Sequence, residues 1–450
     1  MTERLSDRAL ARVGDGVTVP SFRRDVTPTI VHLGVGAFAR AHLGTYADDL
    51  LRLGHDAAIH GVSLRSPRAE DQLAPQDGLF TLLEREPRDP VAPRILGSFV
   101  RVSTGPEVAV AAIADPATTL VTLTVTEKGY LPGPGSAAEV VARGLLARWR
   151  AGLAPLVVAS LDNVAENGHV LRTAVLDAAG GIDADPGAVG WITDTTAFPS
   201  SVVDRMVPAT TDADRADAEA ALGFVDEAVV VAERYRSWTI EAVAGLPPLT
   251  EVGVAVVDGV EDAQRRKLWL LNAPHSAIAL LGLVRGHDTI AAATGDAALM
   301  AFVRALIDDT VEVAGLTADD ARAYAASVLE RFANPALGHT CRQVGADGSR
   351  KLRERVLPVV GRRLDAGRPV DRHALVAAAW IAAAGGLPVG GGRLPAVDDP
   401  VSEELRAAVD RGDLPGAVAA GLPDAPDPFA AATVAALRTL AARGPDAVTS

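Results

Sequence analysis

Cysteine, lysine and asparagine are scarce in this 450-residue chain. The single cysteine, Cys341, excludes an internal disulfide and a cysteine-based metal cluster, which favours a reducing, cytoplasmic setting. The N-terminal residues mix acids with bases and contain no apolar stretch, so we expect no secretory signal. The longest apolar runs fall short of the roughly 18 residues that a membrane span needs, so we expect no membrane association.

Basic residues are also too few for a polyanion to be the main partner. The net charge is -14, whereas binding to nucleic acid requires dense lysine and arginine. Among the 43 basic residues only three are lysines. A lysine ammonium can lose its proton when it is desolvated, whereas arginine stays charged, so these lysines are candidates for roles that arginine cannot fill. They are Lys128, Lys267 and Lys351.

Runs rich in β-forming residues alternate with helical patterns in the first half of the chain, which favours a doubly wound, largely parallel sheet. From about Glu261 the sequence changes to Ala- and Leu-rich helical segments. We therefore predict an α/β protein. A Rossmann-type dinucleotide-binding domain over residues 1–250 precedes a mostly α-helical substrate and catalytic domain over residues 251–450, with a ligand bound where they meet.

A glycine turn follows the first predicted strand. Gly34, Gly36 and Ala39 fit the pattern G-x-G-x-x-[GA], in which the second glycine lets a pyrophosphate approach the backbone. The alternative is a tight strand-to-helix turn that binds nothing. An acid usually ends the second strand of an NAD site, but here Arg65 and Arg68 occupy that region and could accept the extra phosphate of NADP. The residues therefore leave NAD and NADP both open.

A polar group interrupts the apolar helical segment near residue 270. On an ideal helix Lys267, Asn272 and His275 fall at about 0, 140 and 80 degrees, which is one polar wedge. Such a trio suits hydride transfer, because a base must take the alcohol proton and donors must hold the oxyanion. Lys267 would serve as that base if burial lowers its pKa to roughly 7 to 8. We expect a kink at Pro274 to bring the three groups closer.

Seven strings carry a family resemblance in conserved order along most of the chain. They occupy residues 34–42, 76–82, 124–130, 162–168, 198–205, 267–275 and 347–351. Together they resemble the mannitol dehydrogenase family, the polyol-specific long-chain dehydrogenases and reductases, which includes fructuronate reductases. This resemblance implies an NAD(H)-dependent, metal-independent oxidoreductase that acts on open-chain sugar alcohols, ketoses or keto-uronates.

The resemblance also implies roles for individual residues. Lys267 would be the general acid/base, and Asn163, Asn272 and His275 would surround the reacting oxygen. Asp204 and Lys351 would hold the rest of the substrate. The cofactor residues would be Gly34, Gly36, Phe38, Arg40, Arg65, Thr126 and Glu127.

Substrate class is predicted from the region around Cys341, which looks more like the fructuronate reductase branch. Gln343 stands where mannitol dehydrogenases commonly have an arginine, and Arg205, Arg342 and Lys351 could neutralise a carboxylate. We therefore predict D-mannonate/D-fructuronate interconversion, with mannitol/fructose as the alternative. A dinucleotide-binding sensor without chemistry is a remote alternative. The oligomeric state, monomer or small homo-oligomer, is not fixed by the sequence.

Overall fold

A computed structural model of the chain describes residues 3–86, 91–125, 129–182 and 185–449. The chain divides into two compact units, unit 1 over residues 1–261 and unit 2 over residues 262–450. The division therefore falls where the sequence becomes helical, slightly later than the predicted residue 250. Each unit has its own hydrophobic core.

Unit 1 contains eleven strands and eight helices among its described residues. The strands are β1 (Ile30–Leu33), β2 (Ile59–Ser63), β3 (Phe80–Glu84), β4 (Arg94–Leu96), β5 (Phe99–Thr104), β6 (Leu120–Leu123), β7 (Val157–Ser160), β8 (Ser201–Asp204), β9 (Val230–Ala232), β10 (Ser237–Glu241) and β11 (Ala255–Val257). The helices are α1 (Ala37–Ala41), α2 (Leu43–Arg52), α3 (Arg68–Leu73), α4 (Pro106–Ile113), α5 (Ala137–Arg150), α6 (Asn167–Ile182), α7 (Pro186–Thr195) and α8 (Asp212–Leu222).

The main sheet of unit 1 is parallel throughout and has the order β5-β2-β1-β6-β7. This order places β1 at the centre with the chain winding outward to both sides, as in a dinucleotide-binding fold. Alternate residues of β1 face opposite cores: Ile30 packs on the side of α2, and Val31 on the side of α4 and α5. The predicted doubly wound sheet is confirmed.

Six strands of unit 1, β3, β4, β8, β9, β10 and β11, lie outside that main sheet. Strand β3 pairs antiparallel with β4 and parallel with β9. Strand β10 pairs antiparallel with β8 and parallel with β11. This division into separate sheets could not be predicted, because a short apolar run looks the same whichever sheet it joins.

Unit 2 is mostly helical, with one short hairpin formed by β12 (Pro388–Val389) and β13 (Gly392–Arg393). Its helices are α9 (Glu261–Lys267), α10 (Ala273–Val284), α11 (Ile290–Thr294), α12 (Ala297–Val311), α13 (Ala318–Phe332), α14 (Cys341–Gly345), α15 (Gly348–Arg355), α16 (Leu357–Asp365), α17 (Asp371–Gly385), α18 (Ser402–Asp410), α19 (Leu414–Gly421) and α20 (Asp427–Arg443). The predicted helical second half is confirmed.

Helices α10 and α17 form the centre of unit 2. Both are buried almost all round, which explains their Ala- and Leu-rich composition. The continuous helical run Glu261–Val284 is long and apolar enough to cross a membrane by length and composition. Inside the protein, however, 83% of its most apolar window is buried, as expected for the core helix of a folded unit.

Two deeply buried histidines make the stability of both units depend on pH. Burial lowers the pKa of His32 in β1 to about 4 and that of His373 in α17 to about 3. Both titrate near 6.5 in the unfolded chain, so the unfolded state takes up protons first as the pH falls. We expect the free energy of unfolding to drop by about 2 kcal/mol per histidine between about pH 7.5 and about pH 5.

Urea unfolding at the two pH values checks this expectation. His373→Leu should lose about 2 kcal/mol less than the wild type on acidification, because it removes one titrating group. His169→Leu, at an exposed histidine, is the matched control and should behave as the wild type. An unchanged acid sensitivity in His373→Leu would contradict the assignment.

Candidate functional site

The glycine turn after β1 requires glycine at its first position. Gly34 has a φ of +97°, and a Cβ there would lie 2.2 Å from the carbonyl oxygen of Thr124. The buried His32 holds the turn in place by hydrogen bonds. Its Nε2 lies 3.0 Å from both the Gly34 oxygen and Thr124 Oγ1. Thr124 Oγ1 donates to the same Gly34 oxygen at 2.8 Å. The sequence therefore builds a rigid turn at the carboxyl end of the central strands.

A pocket of about 640 Å³ opens beside this turn. Gly36 lies in its wall, and a Cβ there would meet no described atom within 4 Å, so the backbone is open to a ligand. Among the described lining residues, four are cationic and one is a carboxylate. The cations are Arg40, Arg65, Arg68 and Arg215, and the carboxylate is Glu227. Open backbone and positive charge fit the pyrophosphate of a dinucleotide.

The predicted cofactor residues are distributed unevenly around this pocket. Gly34, Gly36, Arg40 and Arg65 line it. Phe38 is not among the lining residues, because its ring stacks on His42 with the centroids 5.0 Å apart and packs against the core. Thr126 and Glu127 lie outside the described residues.

Arg40 is the most enclosed cation of the pocket. Its guanidinium donates to the carbonyl of Ala228 and lies 5.7 Å from the ring centre of Phe80. Burial lowers the pKa of Arg40 to about 10, so the side chain is still charged at neutral pH. It therefore brings a fixed positive charge to the inner wall of the pocket.

The loop after β7 carries Asn163 at the same edge of the main sheet. Asn163 is exposed, and its neighbour Asn167 holds the loop in place. The amide of Asn167 donates to the carbonyls of Ser160, Asp162 and Ser201, and its oxygen accepts from the backbone of Ser201 at 2.8 Å. The buried Asn167 thus fixes the loop that carries the exposed Asn163.

Asp204 ends strand β8 and Arg205 follows it, but the two side chains lie in different environments. Asp204 is half-buried at the end of the strand. The side chain of Arg205 has no exposed surface, and it binds Glu84 at 2.5 Å, Thr45 at 3.1 Å and the carbonyl of Glu233 at 3.0 Å. The prediction that Arg205 binds a substrate carboxylate is therefore replaced by a structural role in the core of unit 1.

A π-helical turn, Leu268–Asn272, joins α9 to α10 in unit 2. A π turn contains more residues than an α-helical turn, so Asn272 comes closer to the face of Lys267 than the 140 degrees of an ideal α-helix. His275 follows three residues later on the same face. Pro274 explains the wide turn, because it has no N–H and its ring would clash with the carbonyl of Leu270 in a regular α-helix. The predicted kink is thus an inserted turn, a feature frequent at functional sites.

Two buried polar atoms on this face lack partners. Neither Asn272 Nδ2 nor His275 Nε2 has a hydrogen-bond partner among the residues that the structure describes. The ring of His275 stacks on Phe332 at 4.4 Å, and burial holds its pKa well below the usual value, so the imidazole is neutral. Buried polar groups are normally satisfied, so this pair points to a ligand oxygen.

The arginines next to Lys267 are engaged away from it. Arg265 forms an ion pair with Asp262 in the preceding turn. Arg266 lies over the ring of Tyr324, 4.9 Å from its centre. Both guanidinium groups therefore have partners other than Lys267.

Helix α15 presents two cations to the same region of unit 2. Lys351 Nζ donates to the carbonyl of Val344 at 3.1 Å, and burial, followed by nearby Arg355, lowers its pKa to about 8. Arg355 donates to Ser276 Oγ at 2.8 Å and to the carbonyl of Asn272 at 3.3 Å. Arg355 was not among the predicted site residues, although its spacing of four from Lys351 places both on one helix face.

Arg342 and Gln343, at the start of α14, have partners other than Lys351 and Arg355. Arg342 is exposed, and its Nε donates to the carbonyl of Ala396 at 3.0 Å. Gln343 completes a capping box with Thr340 at the start of α14. Of the three cations predicted to neutralise a carboxylate, Arg205 is held in the core and Arg342 donates to a backbone carbonyl, whereas Lys351 is half-buried in the same region as Arg355. Within the described ranges no group of three or more histidine, cysteine or acidic residues could hold a metal ion.

Replacing Arg355 with methionine should lower kcat about 10-fold to 100-fold by releasing the backbone of Asn272, since small displacements near a reacting group have large effects. Arg355→Lys should recover part of the loss, and cofactor affinity should not change. The matched control is Arg353→Met. It changes an exposed arginine of the same helix, α15, that forms an ion pair with Asp424. Steady-state kinetics of the three variants measure the effect, and equal rates in Arg355→Met and Arg353→Met would contradict it.

Comparisons with known proteins agree with this arrangement. The family model for the mannitol dehydrogenase Rossmann domain matches residues 28–251, and that for the mannitol dehydrogenase C-terminal domain matches residues 260–419. A mannitol 2-dehydrogenase of Phaeosphaeria nodorum is 33% identical over 90% of this chain and 77% of its own length.

Two solved structures are similar over almost the whole chain. The ternary complex of Pseudomonas fluorescens mannitol 2-dehydrogenase with NAD and D-mannitol has a TM-score of 0.85 and 30% identity, covering 99% of this chain and 98% of its own. A D-sorbitol dehydrogenase in substrate-free form has a TM-score of 0.87 and 27% identity, covering 99% of this chain and 100% of its own.

Proposed function

This chain belongs to the mannitol dehydrogenase family of oxidoreductases, and from that premise we propose that it interconverts an open-chain polyol such as D-mannitol and its ketose with a nicotinamide dinucleotide as the hydride carrier. The observation that carries the proposal is the pair of buried atoms, Asn272 Nδ2 and His275 Nε2, on the same face as Lys267. A substrate oxygen beside them would satisfy both. The names of the fungal relative and of the Pseudomonas structure support a polyol as substrate.

The proposed chemistry assigns a separate task to each group on this face. A bound nicotinamide supplies the hydride acceptor in oxidation and the hydride donor in reduction. Lys267 takes the proton from the carbinol oxygen during oxidation and returns it during reduction. Asn272 donates to the same oxygen and stabilises its developing negative charge. The neutral His275 orients the oxygen without adding a charge beside Lys267.

A sugar acid is the second candidate substrate. The cations that would bind its carboxylate differ in part from those predicted from the sequence. Lys351 and Arg355 are cations on one face of α15, and a carboxylate could pair with them. We rank the neutral polyol first because the relatives named above are polyol dehydrogenases. The proposal for fructuronate therefore rests on these two side chains alone.

A turnover screen that crosses NADH and NADPH with fructose, xylulose, fructuronate and tagaturonate tests the proposal. We expect kcat/KM for the best neutral ketose to exceed that for either uronate by at least about tenfold, the effect of one misplaced charge or hydrogen bond. A preference for fructuronate would instead favour the sugar acid. Absence of turnover with every pair would favour a dinucleotide-binding sensor.

A further inference from the structure

The end of β2 has an unusual charge for a site that binds an unphosphorylated ribose. In NAD sites an acid near this point accepts hydrogen bonds from the ribose hydroxyls. Here Ser63 ends the strand, and the segment from Ser63 to Arg68 lines the pocket without a carboxylate. The one acid among the described lining residues, Glu227, comes from a distant part of the chain.

The two arginines of this segment are held by no counter-ion. Within the described ranges neither Arg65 nor Arg68 forms an ion pair or a side-chain hydrogen bond, and both are exposed. Many arginines elsewhere in unit 1 are paired, such as Arg85 with Asp214 and Arg94 with Asp48. The guanidinium groups of Arg65 and Arg68 therefore retain all their donors for a ligand in the pocket.

Ser66 lies between these arginines and adds a further donor. Its Oγ accepts a hydrogen bond from the backbone N–H of Arg68 at 3.3 Å, which leaves the hydroxyl hydrogen available. The three side chains thus offer guanidinium and hydroxyl donors at one edge of the pocket. A phosphate monoester has the complementary set, with three acceptor oxygens and a charge of about -1.5 to -2.

We propose that Arg65, Ser66 and Arg68 form a binding site for a ribose 2′-phosphate, so that this chain binds NADP(H) more tightly than NAD(H). The inference rests on the proposed function only in requiring a dinucleotide beside the Gly34 turn. The fixed charge of Arg40 on the inner wall adds to the attraction for a more highly charged cofactor. Lysine or serine alone would give a weaker site, because only arginine offers a planar fork to a phosphate.

Calorimetry on the full-length protein tests this site without any turnover. The probes are adenosine 2′,5′-bisphosphate and adenosine 5′-monophosphate, which differ by the 2′-phosphate. We expect the bisphosphate to bind at least about tenfold more tightly, and its advantage to shrink with added salt because the arginines are exposed. In the double variant Arg65→Ala, Arg68→Ala the two affinities should become equal.

Matched controls separate this site from general charge effects. Arg23→Ala removes an exposed arginine that does not line the pocket, and it should keep the tenfold preference. Arg65→Asp supplies the missing acid and should reverse the preference toward the monophosphate. Equal or weaker binding of the bisphosphate, an unchanged preference in the double variant, or no binding of either probe would each overturn the proposal.

The same design separates this inference from the proposed function. If the bisphosphate binds as expected but no polyol or ketose is turned over with either cofactor, the phosphate site stands and the polyol reaction fails. If polyol turnover is found with NAD(H) and the probes show no preference, the reaction stands and the phosphate site is wrong. If both proposals hold, kcat/KM for NADPH exceeds that for NADH, and the double variant Arg65→Ala, Arg68→Ala removes the difference.

Discussion

Lys267→Ala should abolish turnover while the protein still binds its cofactor with unchanged affinity. Proton transfer by a positioned side chain contributes about 10²-fold to 10⁴-fold to a rate, so kcat should fall by that factor. Cofactor affinity should be preserved because the described residues that line the pocket beside the glycine turn belong to unit 1, whereas Lys267 belongs to unit 2. Pre-steady-state and steady-state rates, together with fluorescence titration of the reduced cofactor, measure the two effects separately.

Two further measurements distinguish a proton-transfer role from a structural one. Added primary amines of small size should restore part of the lost rate in Lys267→Ala, because they replace the missing base in the space that the side chain leaves. Arg266→Met, at the preceding residue of α9, removes a cation that lies over Tyr324 and should leave kcat nearly unchanged. Near-normal rates in Lys267→Ala would exclude Lys267 as the acid/base.

The fold could be predicted from the sequence where apolar residues recur with a clear period. It could also be predicted where a glycine indicates a turn that other residues do not adopt without strain. The central strand β1 lies directly before the predicted glycine turn, and helices follow one another from Glu261 onward as predicted, because the apolar patterns of both regions are strong. The pairing of β3 with β9 could not be predicted, because strand partners far apart in sequence are chosen by tertiary packing.

The candidate site was predictable in residue type more than in geometry. The polar wedge at Lys267, Asn272 and His275 was visible from spacing, but the π turn that aligns it depends on relief of a clash at Pro274. Arg205 was assigned to the substrate because a buried structural arginine and a ligand-binding arginine look identical in sequence. Only the partners of each side chain, known from the structure, distinguish the two.

Gly36→Ala should weaken NAD(H) binding at least about tenfold without changing the thermal stability of the protein. The backbone of Gly36 has a φ of -85°, which alanine adopts without strain, and an added Cβ meets no described atom within 4 Å. That same open space lies in the wall of the pocket, where a pyrophosphate would need to approach the backbone. Calorimetric titration and thermal unfolding of one preparation measure both quantities.

Gly34→Ala is the matched control, and we expect it to lower the stability of the protein rather than to block cofactor binding directly. Alanine at a φ of +97° is strained by about 1 to 3 kcal/mol, and its Cβ would collide with the carbonyl of Thr124 unless β1 and β6 moved apart. We therefore expect a lower melting temperature for unit 1, with any loss of cofactor binding following from the loss of structure. If Gly36→Ala instead binds NAD(H) as tightly as the wild type, the turn is a structural feature only, and the cofactor must bind elsewhere.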